Sequence, residues 1–525
     1  MKKSLFFAST FLTVSLCFSQ NFASYETDEN GKIFQKTESQ LPSVLNQNNK
    51  GPLALNLDWS NPDENISEQP TVDSWDPRLE VGNDGTAYVV YSDNHSSGLQ
   101  KIMFRKKELN QEWSDAIFVD TGGEIGGRNN HFGAIAASPN GDLHVTYNVW
   151  AFENIRNYVA YSYYEAATDT WNDGVKISDA GGTVNHTSGR HDLYSTEDNL
   201  PVVVWGYDFR ENQVNEEIYM KYFDGTDWSS DIAVSDVTDS QNAGYPYIRS
   251  IGDSKAMILY SEKVNGGSTE LKYRIYDEVT HDLSTAKIVT LDNVGTFNYN
   301  LAYSSSTDEV MVLTWHGDPS PKRDIIRIYD YDAGADSFTL SANTYEDVSP
   351  DAGSKRMSMD CNSEGDCAVV FTNFFADTNS VIEYNSTDGF GTPLVINEEN
   401  PALEEPNCKF DPNGSLHVVW NDKRFDDGQG FDEREVFYEK GVNLNLGTND
   451  VAEATIAVYP NPSNGKFTIS TTASYTMEIY DVLGRMYSAE AVSGTTTVTK
   501  TLSPGTYFLH FKNEEASFVK KILVQ

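Results

Sequence analysis

Hydrophobic and polar positions alternate along the chain in a unit that recurs. Its clearest copy spans residues 130–147: an alternating strand, a Pro-Asn-Gly turn, and a second strand that ends on an aromatic residue. Residues 76–91 and 406–420 repeat the pattern with other side chains. Asn and Gly in such turns tolerate positive φ and close hairpins. A recurring unit of this length predicts a repeat architecture.

Seven copies of the unit can be aligned, with starts roughly 50 to 60 residues apart, as in the blades of a propeller. In each copy a second strand that ends on an aromatic residue precedes a third strand rich in Tyr and Ile, for example at residues 217–223, 270–276 and 325–331. The pattern predicts an all-β protein with a seven-bladed β-propeller over residues 75–445. An array of β-sandwiches is the alternative. The first strands are predicted to begin near Asp76, His131, Arg190, Tyr245, Tyr299, Lys355 and Pro406.

Residues 446–525 lack the repeat unit and contain several short alternating segments, which predicts a small antiparallel β-sandwich. The tail contains Tyr459-Pro460-Asn461-Pro462, Gly505-Thr506-Tyr507 and a closing Lys-Lys-Ile-Leu-Val run at 520–524. With these motifs it resembles the C-terminal sorting domain of the type IX secretion system of Bacteroidetes-like bacteria. The resemblance implies transport across the outer membrane, with the type IX secretion machinery as a partner. A generic adhesive module is the alternative.

The start of the chain also indicates export. Two lysines precede an apolar run at residues 5–17, and a small residue, Ser19, follows, which predicts a signal peptide over residues 1–20. The run is too short to span a membrane, so no membrane insertion is predicted. Residues 21–74 form an N-terminal segment in which residues 52–57 are a possible closing strand. The mature protein is predicted to be secreted or displayed on the cell surface.

Composition narrows the possible partners. The net charge of -40 argues against nucleic acid and anionic membranes. Cys361 and Cys367 flank one hairpin turn, where a disulfide and two free thiols are both open readings. Cys408 is left over, and without a Cys-x-x-Cys pair a zinc site is not expected. No metal or cofactor is predicted.

The candidate site lies where the first strands begin, because these strands line the central channel of a propeller. The predicted acid–base residues are His131, His191 and Tyr247. Carboxylates are scarce at these positions, with Glu80, Asp192 and Glu405 the nearest. A basic, aromatic channel in an acidic protein predicts an anionic sugar as ligand: a uronate, a sulfated glycan or a sialic acid. The predicted substrate-binding residues are Arg78, Arg190, Arg249, Tyr299, Arg356, Trp150 and Arg210.

Two enzyme mechanisms suit such a channel. In β-elimination from a uronic acid, cations neutralise the carboxylate while His or Tyr removes the C5 proton and protonates the leaving oxygen. Sialidase-type hydrolysis needs an arginine cluster, a Tyr nucleophile paired with Glu, and an acidic proton donor. Sialidase propellers carry repeated Ser-x-Asp-x-Gly-x-x-Trp boxes at their outer turns, and this sequence has no intact copy. It also has few carboxylates at the channel positions. Both observations favour elimination. A glycan-binding propeller without catalysis is the third reading.

The stretch that begins at His131 and continues through the turn to Leu143-His144-Val145 resembles the propeller-type polysaccharide lyases that act on ulvan. It departs from them at residues 147–150, where that family has a further His, and at residues 189–191, where it has its catalytic Tyr. The resemblance implies a carbon–oxygen lyase, either a polysaccharide lyase or an oligosaccharide dehydratase, that acts on ulvan-like saccharides. His144 and His417 take matching places within their strands and are predicted to be structural.

Overall fold

The computed structural model describes residues 24–27, 33–36 and 55–525, the last with gaps. The predicted signal peptide lies outside the described residues. In the part of the chain that the structure describes, no helix has the length and apolar character needed to cross a membrane. The gaps are 56, 60–61, 69–72, 95–97, 110, 124, 151–157, 179–186, 210–213, 237–241, 264–268, 291–298, 320–321, 348–353, 374–377, 387, 398–403, 425–433, 444–456, 460, 462, 464, 472–473, 482–484 and 513–516.

Almost all regular structure in these residues is β-strand, with a short 3-10 helix at Ile125–Gly127. The strands of the first half are β1 (Ser24–Thr27), β2 (Ile33–Lys36), β3 (Leu57–Asp58), β4 (Glu64–Asn65), β5 (Ser74–Val81), β6 (Ala87–Asn94), β7 (Gln100–Lys107), β8 (Ile117–Phe118), β9 (Asn129–Ala137), β10 (Leu143–Trp150), β11 (Tyr158–Glu165), β12 (Thr170–Trp171), β13 (Val175–Lys176), β14 (Thr187–Ser195), β15 (Pro201–Phe209), β16 (Val214–Tyr222), β17 (Ile232–Ala233), β18 (Ala243–Ser250), β19 (Lys255–Lys263), β20 (Thr269–Asp277) and β21 (Lys287–Thr290). Those of the second half are β22 (Tyr299–Ser304), β23 (Glu309–Pro319), β24 (Lys322–Asp332), β25 (Ser337–Asp347), β26 (Ser354–Cys361), β27 (Cys367–Asn373), β28 (Thr378–Asn385), β29 (Gly389–Phe390), β30 (Leu394–Val395), β31 (Glu404–Phe410), β32 (Leu416–Asp422), β33 (Glu435–Asn443), β34 (Ala457–Tyr459), β35 (Lys466–Ser470), β36 (Tyr475–Asp481), β37 (Met486–Val492), β38 (Thr495–Thr499), β39 (Gly505–Lys512) and β40 (Ser517–Val524).

Within the described residues, β5 to β33 form seven antiparallel sheets, each built from consecutive strands. We call them blades 1 to 7. The first strand of each blade contacts the first strand of the next blade, and the first strand of blade 7 contacts that of blade 1. These strands therefore form a closed ring, as the blades of a propeller do. The first strands are β5, β9, β14, β18, β22, β26 and β31.

The N-terminal segment completes blade 7. Both β3 and β4 belong to that sheet, and β4 pairs with β33 through Asn65 and Phe437. The predicted closing strand, residues 52–57, overlaps β3 at Leu57. The guanidinium of Arg424 holds the segment by its ion pair with the buried Asp63, at 2.8 Å. Blade 7, which closes the ring, is thus built from strands that precede blade 1 and strands that follow blade 6.

Six of the seven first strands carry a β-bulge soon after they begin. In blade 5 the structure describes the first strand only from Tyr299 onward, and this part pairs without a bulge. In blades 1, 2 and 4 the bulge begins at Asp76, Phe132 and Tyr245, whose φ values are 56°, 55° and 56°. Residues other than Gly rarely adopt positive φ. Bulges re-aim side chains and are frequent beside active sites.

The prediction that each second strand ends on its aromatic residue is wrong. In blades 1, 2, 4 and 7 the aromatic residue lies opposite the bulge of the first strand, and pairing resumes beyond it. Strand β6 therefore continues past Tyr91 to Asn94, and β10 continues past Tyr147 to Trp150. Tyr91 and Tyr147 are fully buried, so the aromatic positions form part of the core between blades.

The structural role predicted for the two strand histidines is confirmed. His144 is buried, with Nε2 2.8 Å from Oγ of Ser138 and Nδ1 2.7 Å from the hydroxyl of Tyr161. His417 is also buried, and its Nδ1 lies 2.9 Å from the hydroxyl of Tyr438. Both imidazoles lie within the blades and outside the channel.

The burial of His144 predicts a loss of stability in acid. Burial lowers the pKa of this imidazole from 6.5 to about 4. The folded state therefore resists protonation, and the free energy of unfolding falls as the pH drops from 6.5 towards 4, by roughly 3 kcal/mol for this residue. Replacing His144 with Gln should flatten the pH dependence of urea unfolding in this range. An unchanged slope would contradict the prediction, and His510→Gln, in the tail, is the control.

The two cysteines of blade 6 form a disulfide, which decides the question that the sequence left open. Cys361 and Cys367 pair across the β26–β27 hairpin, with their Cα atoms 4.0 Å apart. Cys408 is a buried free thiol, and burial raises its pKa to about 12. This thiol is therefore protonated and unreactive in the folded protein.

The tail is a separate compact unit of the fold. The chain divides at Val442 and Asn443, close to the predicted boundary at 445 and 446. The tail has two sheets, one of β34, β35 and β38 and the other of β36, β37, β39 and β40. Alternate residues such as Phe467, Met477 and Phe511 are buried between them.

Candidate active site

The first strands enclose a cavity of about 990 Å³, a volume that includes solvent at its open side. All seven strands contribute to its wall. Its lining has five cationic side chains and three carboxylates, so the cavity is positive although the protein is strongly acidic. The polar lining residues are Asp76, Arg78, Glu80, Arg190, His191, Asp192, Tyr245, Tyr247, Arg249, Asn300, Arg356, Asn407 and Lys409.

The strand register identifies equivalent positions in the blades. In six blades a middle ring is formed by the residues whose partners on the second strand directly precede the aromatic residue: Val90, Thr146, Val204, Leu259, Val370 and Val419. The outer ring lies two residues earlier on the strands, and the inner ring two residues later. The middle ring is Arg78, Ala134, Asp192, Tyr247, Ser358 and Asn407, and blade 5 contributes Asn300 to the cavity lining. The cavity-lining members of the outer ring are Asp76, Phe132, Arg190, Tyr245 and Arg356, and those of the inner ring are Glu80, Arg249 and Lys409.

Three members of the middle ring hold the propeller together. The side chains of Asp192, Ser358 and Asn407 each accept a hydrogen bond from a backbone N–H of the next blade, at 3.0, 3.2 and 2.9 Å. The bond to Asn407 comes from Leu79 and joins blade 7 to blade 1. These polar residues therefore have a structural reason to line the channel.

Arg78 and Tyr247 occupy the same ring but make no such link among the described bonds. The two side chains belong to blades 1 and 4, and both line the cavity. The charge of Arg78 interacts with Tyr247, and so does that of Arg249 in the inner ring. The ring of Tyr247 packs edge-on against Tyr299, with centroids 5.5 Å apart. A phenol hydroxyl and two guanidinium groups thus line the same cavity and interact electrostatically.

The inner ring is a network of ion pairs. Lys409 lies 3.4 Å from a carboxylate oxygen of Glu80 and 3.8 Å from one of Asp360. Burial raises the pKa of the Glu80 carboxyl, while Lys409 and Arg249 act in the opposite direction. Arg249 in turn contacts Asp192 at 2.5 Å. Most of the inner-ring charge is therefore compensated within the protein.

The outer ring presents a cation between two aromatic rings. The guanidinium of Arg190 lies 5.3 Å from the ring centre of Phe132 and 5.7 Å from that of Tyr245. These three residues belong to consecutive blades. Cation–π contacts at this range orient the guanidinium towards the space between the blades. Arg356 adds a second outer-ring cation from blade 6.

His191 and Asp76 lie close to Arg78. The pKa of the His191 imidazole is lowered to about 4, chiefly by burial and to a smaller extent by Arg78 and Arg190, against the opposing effects of the Thr146 backbone and Asp76. Both ring nitrogens of His191 are buried, and neither has a hydrogen bond of normal geometry within the described residues. The buried Asp76 carboxylate lies 3.0 Å from Nη2 of Arg78. The imidazole is therefore neutral at physiological pH.

The structure brings most of the predicted site residues into one cavity: Arg78, Arg190, His191, Tyr247, Arg249 and Arg356. Arg210 lies outside the described residues. His131 and Trp150 contact each other and are not among the residues that line the cavity.

The predicted contact of Tyr299 with substrate is not supported. Tyr299 is only 1% exposed, and its hydroxyl donates to the backbone carbonyl of Tyr245 at 2.6 Å. It supports the bulge at Tyr245 and the ring of Tyr247 from behind. In blade 5 the residue of the first strand that lines the cavity is Asn300.

Asp76 lines the cavity, although the sequence pattern predicts for it only the start of a strand. The repeat could have identified it as a site residue, because Asp76 corresponds to Phe132 and Tyr245, which also begin bulges and line the cavity. That equivalence depends on the bulges, which the sequence pattern does not show.

Comparison with solved structures finds several proteins of low similarity. The polysaccharide lyase Uly1 is 11% identical, with a TM-score of 0.46 over 70% of this chain and 89% of that chain. A Dyadobacter fermentans protein of unknown function is 10% identical, with a TM-score of 0.44 over 73% and 98%. The Hadza microbial sialidase Hz136 is 9% identical, with a TM-score of 0.40 over 71% and 66%. Similarity this low does not assign a reaction. A search of curated proteins finds no match.

The tail has a clear relative. Residues 457–525 match the family described as the secretion system C-terminal sorting domain. The match begins with β34 and includes both sheets of the tail. The tail is therefore a type IX secretion sorting domain, and the protein is secreted or displayed on the cell surface.

Proposed function

We propose that the propeller is a carbohydrate-active enzyme that binds a uronic-acid-containing saccharide in its channel and cleaves it by β-elimination. The observation that carries the proposal is the middle ring, in which Arg78 and Tyr247 replace the short acceptors that link other blades. Two side chains without a described linking role lie together in a positive cavity. Carboxylate recognition and proton transfer are the chemistry that such a pair can supply.

Elimination first requires that the negative charge of the sugar carboxylate be neutralised, and the cations of the cavity can do this. Arg78 from the middle ring and Arg190 from the outer ring line the same cavity, and both lower the pKa of His191. A sugar carboxylate bound between them loses charge density, which acidifies the proton on C5. Guanidinium groups suit this task because they bind a carboxylate through two parallel hydrogen bonds.

Proton transfer is the second requirement. The neutral imidazole of His191 turns towards the cavity and accepts the C5 proton, while the hydroxyl of Tyr247 donates a proton to the leaving oxygen on C4. The C4–O bond breaks and a C4–C5 double bond forms. Arg78 and Arg249 stabilise the phenolate that remains on Tyr247, and the proton on His191 returns to it through solvent.

The test is incubation of the full chain with ulvan, other uronate glycans and their oligosaccharides. We expect ultraviolet absorbance from an unsaturated uronate to rise with time. New reducing ends without that absorbance would overturn elimination. Binding without any product would overturn catalysis and leave a glycan-binding propeller.

Hydrolysis is the second candidate, favoured by Glu80. Burial raises the pKa of this carboxyl, which is what a general acid of a glycosidase requires. Under this alternative, Glu80→Gln would abolish the release of reducing ends. If the reaction is elimination, Glu80→Gln would lower the stability of the protein, because the ion pair with Lys409 is lost, but the ultraviolet absorbance of the unsaturated product would still appear.

The pKa of His191 predicts the acid limit of activity. A base must be unprotonated, so kcat/KM should fall only below about pH 4, rather than near 6.5 as for an ordinary imidazole. The measurement is kcat/KM against pH, with each sample returned to neutral pH to show that it recovers. An acid limb near 6.5 would exclude His191 as the base.

A further inference from the structure

Trp150 is an exposed aromatic residue at the edge of the channel region. It is the last residue of β10, and 38% of its surface is exposed. Its ring meets His131 at 83°, with centroids 5.5 Å apart. Nδ1 of His131 lies 3.1 Å from Oε1 of Gln100 on β7. An exposed indole with polar neighbours is a surface on which sugar rings stack.

Ring contacts connect Trp150 to the cavity. His131 meets Phe132 with centroids 4.6 Å apart, and Phe132 in turn faces the guanidinium of Arg190. Phe132 and Arg190 both line the cavity, whereas Trp150 and His131 do not. The rings of His131 and Phe132 stand between the indole of Trp150 and the guanidinium of Arg190, so we expect a ligand that reaches both to have more than one sugar residue.

The chemistry differs at the two ends of the path. The cavity end carries Arg190 and Arg78, which suit an acidic group. The rim end carries Trp150, Gln100 and a neutral His131, since burial lowers the pKa of that imidazole to about 4 even though Asp76 opposes the shift. An uncharged ring with hydroxyl groups matches the rim better than an acidic one does.

We propose that Trp150 is a second subsite, which stacks an uncharged sugar residue adjacent to the acidic residue in the channel. The ligand is then an oligo- or polysaccharide in which acidic and uncharged sugars are neighbours, lying across the rim of blade 2. His131 and Gln100 hold the indole in place and offer hydrogen bonds to the sugar. This inference rests on the proposed function, because it starts from an acidic sugar in the channel.

The test uses the full chain with Trp150→Ala and size-fractionated oligosaccharides of desulfated ulvan, in which each uronate has an uncharged sugar as its neighbour. Aromatic stacking energies correspond to a loss of about twofold to tenfold. We expect that loss in kcat/KM and in binding for oligosaccharides long enough to reach the rim, with little change for a single uronate. The matched control is Phe118→Ala, because Phe118 is 37% exposed on the outer strand β8 of blade 1.

The outcomes separate this subsite from the proposed reaction. If elimination fails but oligosaccharides still bind, the binding titration alone tests Trp150. An equal loss for ligands of every length, or no loss for any of them, would overturn the subsite. So would an identical loss in the Phe118 variant. Absence of both turnover and binding in the wild type would overturn the subsite and the proposed function together.

Discussion

Replacing Tyr247 with Phe is expected to lower turnover of a uronate saccharide by about 10²- to 10⁴-fold, the usual contribution of a general acid or base. The change removes one hydroxyl oxygen. The ring remains in contact with Tyr299, so the cavity wall keeps its shape. The electrostatic interaction of Arg78 and Arg249 with that hydroxyl would be lost. The measurement is the initial rate of unsaturated product under saturating substrate.

Tyr299→Phe is the matched control for this variant. It also removes one hydroxyl, but that group donates to the backbone of Tyr245 and does not reach the cavity. Losing this bond should cost about 1 kcal/mol of stability and change the rate little. Full activity in Tyr247→Phe, or an equal loss of activity in Tyr299→Phe, would refute the role given to Tyr247.

Replacing Arg424 with Ala is expected to reduce the free energy of unfolding of the propeller by about 3 to 5 kcal/mol, because two buried carboxylates lose their cation. The guanidinium lies 2.8 Å from Asp63 and 2.6 Å from Asp422, and neither carboxylate is exposed. It also packs 3.7 Å from the ring centre of Phe437. The variant therefore loosens the N-terminal segment from blade 7.

Tryptophan fluorescence during urea unfolding measures this effect without interference from the tail. All nine Trp residues of the chain lie between Trp59 and Trp420, within the propeller unit. Lys106→Ala is the comparison, because its partner Asp169 is 75% exposed and regains water when the lysine is lost. If both variants shift the transition equally, the special role of Arg424 would be disproved.

The repeat was predictable from sequence because its signals are local. Alternation, a turn such as Pro139-Asn140-Gly141 and a following aromatic residue all lie within one hairpin. The pairing of β9 with β10 realises that pattern directly. The tail was predictable for a different reason, since its motifs match a known sorting domain.

The details of the site were less predictable because they depend on contacts between blades. The bulges that turn Asp76 and Tyr245 towards the cavity depend on pairing with the second strand, and Asp192 acts through the backbone of the next blade. Tyr299 was assigned to the channel by counting from the start of its strand. That count fails in blade 5, where the next residue, Asn300, lines the cavity and Tyr299 is buried behind it.

The contribution of β3 and β4 to blade 7 has a consequence for the order of folding. The residues that complete the last sheet are made before the first blade, while their partner β33 ends at Asn443. Blades 1 to 6 can form their hairpins as the chain emerges, but the ring cannot close until nearly the whole propeller has been synthesised. Until then both of its open edges expose unpaired strand and apolar surface. We therefore expect the propeller to reach its full stability only after β3 and β4 have paired with β33.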